Sequence, residues 1–121
     1  MWMNVACLVG RATGEPKSKR TAGGTMYATL RIAVPRGRGQ SDFFTVELWG
    51  KLAQVALEHV KQGRVLSLRC ELRQQSWGVG EQRKERVALV VRTLGLVGQG
   101  SSADAADEHN GEDSTEYVDA A

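Results

Sequence analysis

Cysteine is scarce. The 121 residues hold only Cys7 and Cys70, with no Cys-x-x-Cys spacing, which excludes a disulfide framework and a thiolate metal site and leaves two buried thiols as the expectation. Long apolar runs are missing too. The longest, Val87 to Val91, falls far short of the ~20 residues a membrane-spanning helix needs. The start, Met1-Trp2-Met3-Asn4-Val5, has neither the charged stretch nor the apolar core of a secretory signal. A soluble, cytoplasmic protein without a membrane partner is expected. His59 and His109 share no metal-ligand spacing, Gly50-Lys51 lacks the earlier glycine and the following Ser/Thr of a phosphate loop, and Gly78-x-Gly80 lacks the third glycine of a dinucleotide site. No metal or other cofactor is therefore expected. The length suits one compact domain and excludes a large two-domain enzyme.

Lys and Arg are absent from residues 98–121. The net charge of +2 hides a division: residues 1–97 carry all sixteen basic residues and seven acids, while residues 98–121 carry the other seven acids. This is the signature of a basic binding domain over 1–97 with an acidic tail over 98–121. The tail is mostly Gly, Ser, Ala and acids with one aromatic, Tyr117, so it cannot offset the entropy of ordering and is expected to be disordered.

Strict alternation dominates the body and predicts strands. Met3 to Arg11 is the first, followed by a basic turn through Lys17, Lys19 and Arg20. Met26, Ala28, Leu30, Ile32 and Val34 share a core parity in the second, which Pro35 is expected to end. Pro35 to Ser41 reads as a mobile cationic loop carrying Arg36 and Arg38. In the third strand, Asp42 to Trp49, Phe44, Val46 and Leu48 face the core, leaving Phe43, Thr45, Glu47 and Trp49 outward. Leu52, Val55, Ala56, His59 and Val60 then follow helical spacing, ended by Gly63. The fourth strand turns Leu66, Leu68, Cys70 and Leu72 inward and Arg69, Arg73, Gln75 and Trp77 outward; a hairpin tip with Arg83 and Lys84 leads to the fifth, Glu85 to about Leu96.

Five strands with one helix between the third and fourth match an all-β, five-stranded Greek-key barrel, the OB-fold. The outward parity collects what an unpaired nucleic acid strand requires: rings for bases in Phe43, Trp49 and Trp77, and cations for phosphates in Arg31, Arg69 and Arg73 on strands and Arg36, Arg38, Arg83 and Lys84 on loops. DNA is the expected partner, with RNA as the alternative. A nuclease would need clustered carboxylates, and Glu47 is the sole acid at the centre of this face, so an enzyme is not expected.

The chain also resembles the bacterial single-stranded DNA-binding protein family over residues 4 to about 97. The matching stretches are Leu8-Val9-Gly10 with Glu15-Pro16, Gly23-Gly24-Thr25, Phe43 through Trp49-Gly50-Lys51-Leu52-Ala53 with Val55-Ala56, Val60-Lys61-Gln62-Gly63, and Leu72-Arg73 leading to Trp77. The resemblance implies a nucleoid-associated homotetramer that wraps DNA in replication, recombination and repair. It places Phe43, Trp49 and Trp77 as base-stacking aromatics and Lys51 as a phosphate contact. Arg36 and Arg38 stand where the family usually has a further aromatic, Cys70 replaces a customary glycine, and Phe44 stands at a histidine position of one branch. Members also end in an acidic tip closing with Pro-Phe, which docks replication and repair enzymes. Here the end is Glu116-Tyr117-Val118-Asp119-Ala120-Ala121, so a solvated tail is expected, competing with DNA for the basic surface at low salt.

Overall fold

A computed structural model describes residues 1–98 and 115–120. In chain order the elements are β1 (Ala6–Ala12), β2 (Lys17–Arg20), β3 (Met26–Gly37), β4 (Gln40–Trp49), α1 (Lys51–His59), β5 (Val65–Trp77), a short 3-10 turn (Gly80–Gln82), β6 (Lys84–Val97) and β7 (Thr115–Asp119). Five strands close a barrel in the order β1-β5-β6-β4-β3, with β3 returning to β1 through Arg11↔Ala33 and Ala12↔Ile32. All pairings are antiparallel except β4 with β6, which pair in the ladder at Val46↔Leu89 and Glu47↔Val90. The expected barrel is present, with its helix between the third and fourth barrel strands.

Alternation builds the core as expected. Leu30 and Ile32 from β3, Val46 and Leu48 from β4, Leu66 and Leu68 from β5, and Val91 and Leu94 from β6 are sealed from solvent, and α1 plugs one end with Leu52, Ala53 and Ala56. The β4-to-α1 corner turns at Gly50, whose φ of 59° with ψ of −128° is open to glycine without the strain a Cβ brings. At the barrel closure Gly10 lies against the backbone of Ala33, where a Cβ would collide with the carbonyl. Cys70 is buried as expected, and burial, with Cys7 close by, pushes its thiol up to about 11. Cys7 instead is exposed on β1.

Several boundaries differ from the sequence reading. The basic turn after β1 is a strand, the third antiparallel neighbour of β3: Lys17 to Arg20 pair with Thr29 to Met26 and continue along β3 where β1 leaves it. Pro35 does not end β3, which runs on to Gly37 with Pro35 opposite Ser41. Beyond Ala33, among the described residues, β4 alone lies beside β3, so the absent N–H forfeits no bond on the other side. The loop shrinks to a tight turn in which Gly37, Arg38 and Gly39 all take positive φ. Leu72 is 41% exposed, because β5 and β6 extend past the barrel as an arm and its inward parity there no longer meets the core.

The tail differs as well. Residues 99–114 lie outside the described residues, but Thr115 to Asp119 form β7, antiparallel to β6 from Val97 to Thr93. Composition missed this because the strand relies on tertiary partners. Val118 and Ala120 pack against the core, the Tyr117 ring lies over Gly95, and Thr93 donates to Asp119 at 2.8 Å. A register shift between Arg69 and Cys70 skips Arg92 on β6, and the Arg92 carbonyl accepts the N–H of Ala120 at 2.8 Å. The same register shift lies directly at Cys70. Among the described residues no helix is long and apolar enough to cross a membrane.

Candidate nucleic-acid interface

Register turns outward parity into rows. Lys19, Tyr27 and Trp49 are consecutive cross-strand neighbours on β2, β3 and β4; the next rows pair Thr29 with Glu47, Arg31 with Thr45, and Ala33 with Phe43. Directly opposed residues on one face are close enough for their rings to meet. Tyr27 and Trp49 stack with centroids 4.3 Å apart and planes 11° from parallel. Arg31 reaches diagonally and lays its guanidinium 4.4 Å over the Phe43 ring. Phe43 is 49% exposed with one face covered, and Arg31 is itself exposed, so its N–H donors are open to an anion.

The brief β4–β6 pairing shapes the rest. Toward the arm the two strands diverge, opening a groove of about 380 Å³ lined by Lys19, Tyr27, Phe43, Glu47, Arg86 and Leu89, among others. Glu47 accepts hydrogen bonds from Trp49 Nε1 at 3.2 Å, and from Gln75 Nε2 and Arg86 Nη2 at 3.3 Å each. Among the described residues no His, Cys, Asp and Glu cluster suits a metal ion.

The expected site residues gather unevenly. Phe43, Trp49 and Arg31 share the β3–β4 face, and Lys51 opens α1 two residues after Trp49. Arg36 and Arg38 sit on the β3–β4 hairpin tip, where Arg36 is held by Asp42 at 3.4 Å. The arm carries Trp77, 51% exposed, with Arg73, Arg83 and Lys84; Arg73 lies 3.8 Å from Glu71, and Arg83 lies 3.5 Å from Glu85. Arg69 is not brought to this face. It stands between Cys7 and Thr93 in the β1–β5–β6 wall and donates to Thr93 at 3.3 Å. Tyr27, Gln75 and Arg86 were missed as site residues. Tyr27 and Gln75 had the outward parity that could have revealed them.

The barrel with its aromatic rows agrees with what sequence comparison finds. The model of the single-strand binding protein family matches residues 3–97. The chain belongs to that family. Among curated relatives, the single-stranded DNA-binding protein of Thermosynechococcus vestitus is 36% identical over 97 residues, covering 76% of this chain and 81% of the relative. Single-stranded DNA-binding protein 1 of a Nostoc species is 33% identical over 118 residues, 90% of this chain and 99% of the relative. The Thermotoga maritima single-stranded DNA-binding protein is 33% identical over 105 residues, covering 77% and 74%. The family match spans β1 to β6 and ends before β7.

Proposed function

We propose that this family member binds single-stranded DNA without catalysis and with little sequence preference, coating and protecting it during replication, recombination and repair. The observation that carries the reading is the β3–β4 face, where the Tyr27–Trp49 stack, with Lys19 beside it, and the Arg31-capped Phe43 stand at the two ends of one run of outward-facing rows. Rings accept any base, at roughly 1–3 kcal/mol per base, and cations accept phosphates. Residues 1–97 form the binding unit, Trp77 extends the path along the arm, and residues 98–121 form the acidic tail. Arg36, Arg38, Lys51, Arg73, Arg83 and Lys84 serve phosphates along that path. A cytoplasmic, nucleoid-associated location follows from this role.

Self-association to a tetramer is part of the proposal. It is supported by the outer face of β1 and the residue before it, where Val5, Cys7 and Val9 are exposed, and by the edge from Ala6 to Gly10, which among the described residues has no strand beside it except β5. Docking of replication or repair enzymes on the tail would have to use an end already paired to β6. The deciding experiment is stoichiometric titration of oligo(dT) against tryptophan fluorescence at two salt concentrations, with the mass of the free protein and an RNA competitor. The reading predicts quenching, salt-weakened binding and a preference for DNA. Unchanged affinity of a folded Trp49→Ala variant would remove Trp49 from the site.

A further inference from the structure

Glu47 is out of place by charge. It is a carboxylate, 6% exposed, in the middle of the face that would receive phosphates. Its partners explain how it is kept there. Oε1 accepts the indole N–H of Trp49, while Oε2 accepts Gln75 and Arg86. Arg86 Nε also donates to Gln75 Oε1 at 2.9 Å, closing a ring of side chains across β4, β5 and β6. A nearly buried acid needs this company, since an unpaired one would be costly.

Two aromatic platforms depend on that ring. The stack on Tyr27 sets the tilt of the Trp49 plane, and the N–H bond to Glu47 sets its rotation within that plane. On the other side, backbone pairing between β4 and β6 is confined to Val46↔Leu89 and Glu47↔Val90. Nearer the tip, the side-chain hydrogen bonds that tie the arm to β4 among the described residues are those of Gln75 and Arg86 to Glu47. Trp77 follows Gln75 by two residues, on the same outward face of β5.

We propose that Glu47 is a positioning residue: it contacts no nucleotide and holds Trp49 and the Trp77-bearing arm at the spacing where successive bases stack. This rests on the single-stranded DNA reading above. A freed indole or arm must be re-ordered when DNA binds, and that cost appears as lost affinity.

The test uses the full chain. Glu47→Gln keeps the size and an acceptor for Trp49, but turns an amide N–H₂ toward two other donors. It is expected to weaken oligo(dT) binding roughly three- to tenfold, the cost of re-ordering one or two side chains. The double variant E47Q/Q75E moves the carboxylate across the ring, where it accepts both the new amide and Arg86, and is expected to regain wild-type affinity. In a chain whose only tryptophan is Trp49 (W2F/W77F), Glu47→Ala should raise acrylamide quenching of the indole without DNA present. The proposal is overturned if E47Q binds as tightly as wild type or tighter, as simple removal of a negative charge would give, if the double variant does not recover, or if quenching is unchanged. Failure of the wild-type chain to bind oligo(dT) would strike the DNA reading instead, and the quenching result would still judge the positioning role.

Discussion

Replacing Phe43 and Arg31 singly and together separates stacking from charge. The Arg31 guanidinium lies 4.4 Å over the Phe43 ring, so a base can take only the other face. Phe43→Ala is therefore expected to cost the lower part of the 1–3 kcal/mol range for one base, about 1–2 kcal/mol, or roughly five- to thirtyfold in affinity. Folding should change little. Phe43 is half exposed, and an exposed guanidinium–ring contact contributes only about 0.5–1 kcal/mol. The two variants should differ in salt dependence. Phe43→Ala lowers affinity equally at every salt concentration, whereas Arg31→Ala removes a phosphate contact and reduces the log–log salt slope by about 0.7. Because the ring also steadies the guanidinium, the double variant should show coupling rather than additivity. The assay is polarisation of labelled oligo(dT) over a salt series, with melting curves for each variant. If Phe43→Ala flattens the slope as much as Arg31→Ala does, or if the two changes add without coupling, the proposed division of roles is wrong.

Gly10→Ala should loosen the barrel closure, since the new Cβ lies 3.1 Å from the Ala33 carbonyl carbon and closer still to its oxygen. Forcing those backbones apart costs about 1–3 kcal/mol, and an unshifted melting temperature would refute it. The two thiols should react differently. At pH 8 a thiol reagent is expected to modify Cys7 in the folded protein and Cys70 only after unfolding; equal rates would contradict the burial described here. The raised Cys70 value also has a sign. Above pH 9 the unfolded thiol ionises while the folded one keeps its proton, so this group withdraws stability as pH rises from 9 through about 11, readable as a falling urea midpoint. Ending the chain at Val97 removes β7 along with seven acids, and is expected to lower stability by about 1–2 kcal/mol through the uncovered core edge. It should also tighten DNA binding at low salt but not at high salt. An unchanged melting temperature and unchanged low-salt affinity would defeat both parts.

The barrel was legible because its information is local. Leu30, Ile32, Val46, Leu48, Leu66 and Leu68 repeat every second residue, and a half-buried strand can be read from that period alone. Where neighbours decide, local reading failed. Lys17 to Arg20 has no apolar alternation because all four residues are exposed, and β3 supplies the backbone bonds that make it a strand. Tyr117 and Val118 sit in a tail too polar to fold alone, yet Gly95 offers a bare backbone for the ring and the Arg92 bulge offers a spare carbonyl. Neither feature is visible from the tail's own residues. Leu72 erred in the opposite sense: its parity was right, but parity cannot say where the core ends and the arm begins.

The candidate site shows a related limit. In a closed barrel the outward parity points away from the axis all around the circumference, so residues sharing it can lie on different walls. Arg31 and Arg69 were indistinguishable by parity, yet one lies over Phe43 and the other bonds Thr93 beside β1. The aromatic residues were recognisable individually, whereas their grouping required register. Only when Lys19, Tyr27 and Trp49 fall opposite one another do a cation and two rings become a row. Only when β4 parts from β6 after two pairs does Glu47 find Gln75 and Arg86 within reach. Stacking on this protein thus depends on strand pairings far apart in sequence, so a substitution that shifts register should impair binding even where every aromatic and basic residue is retained.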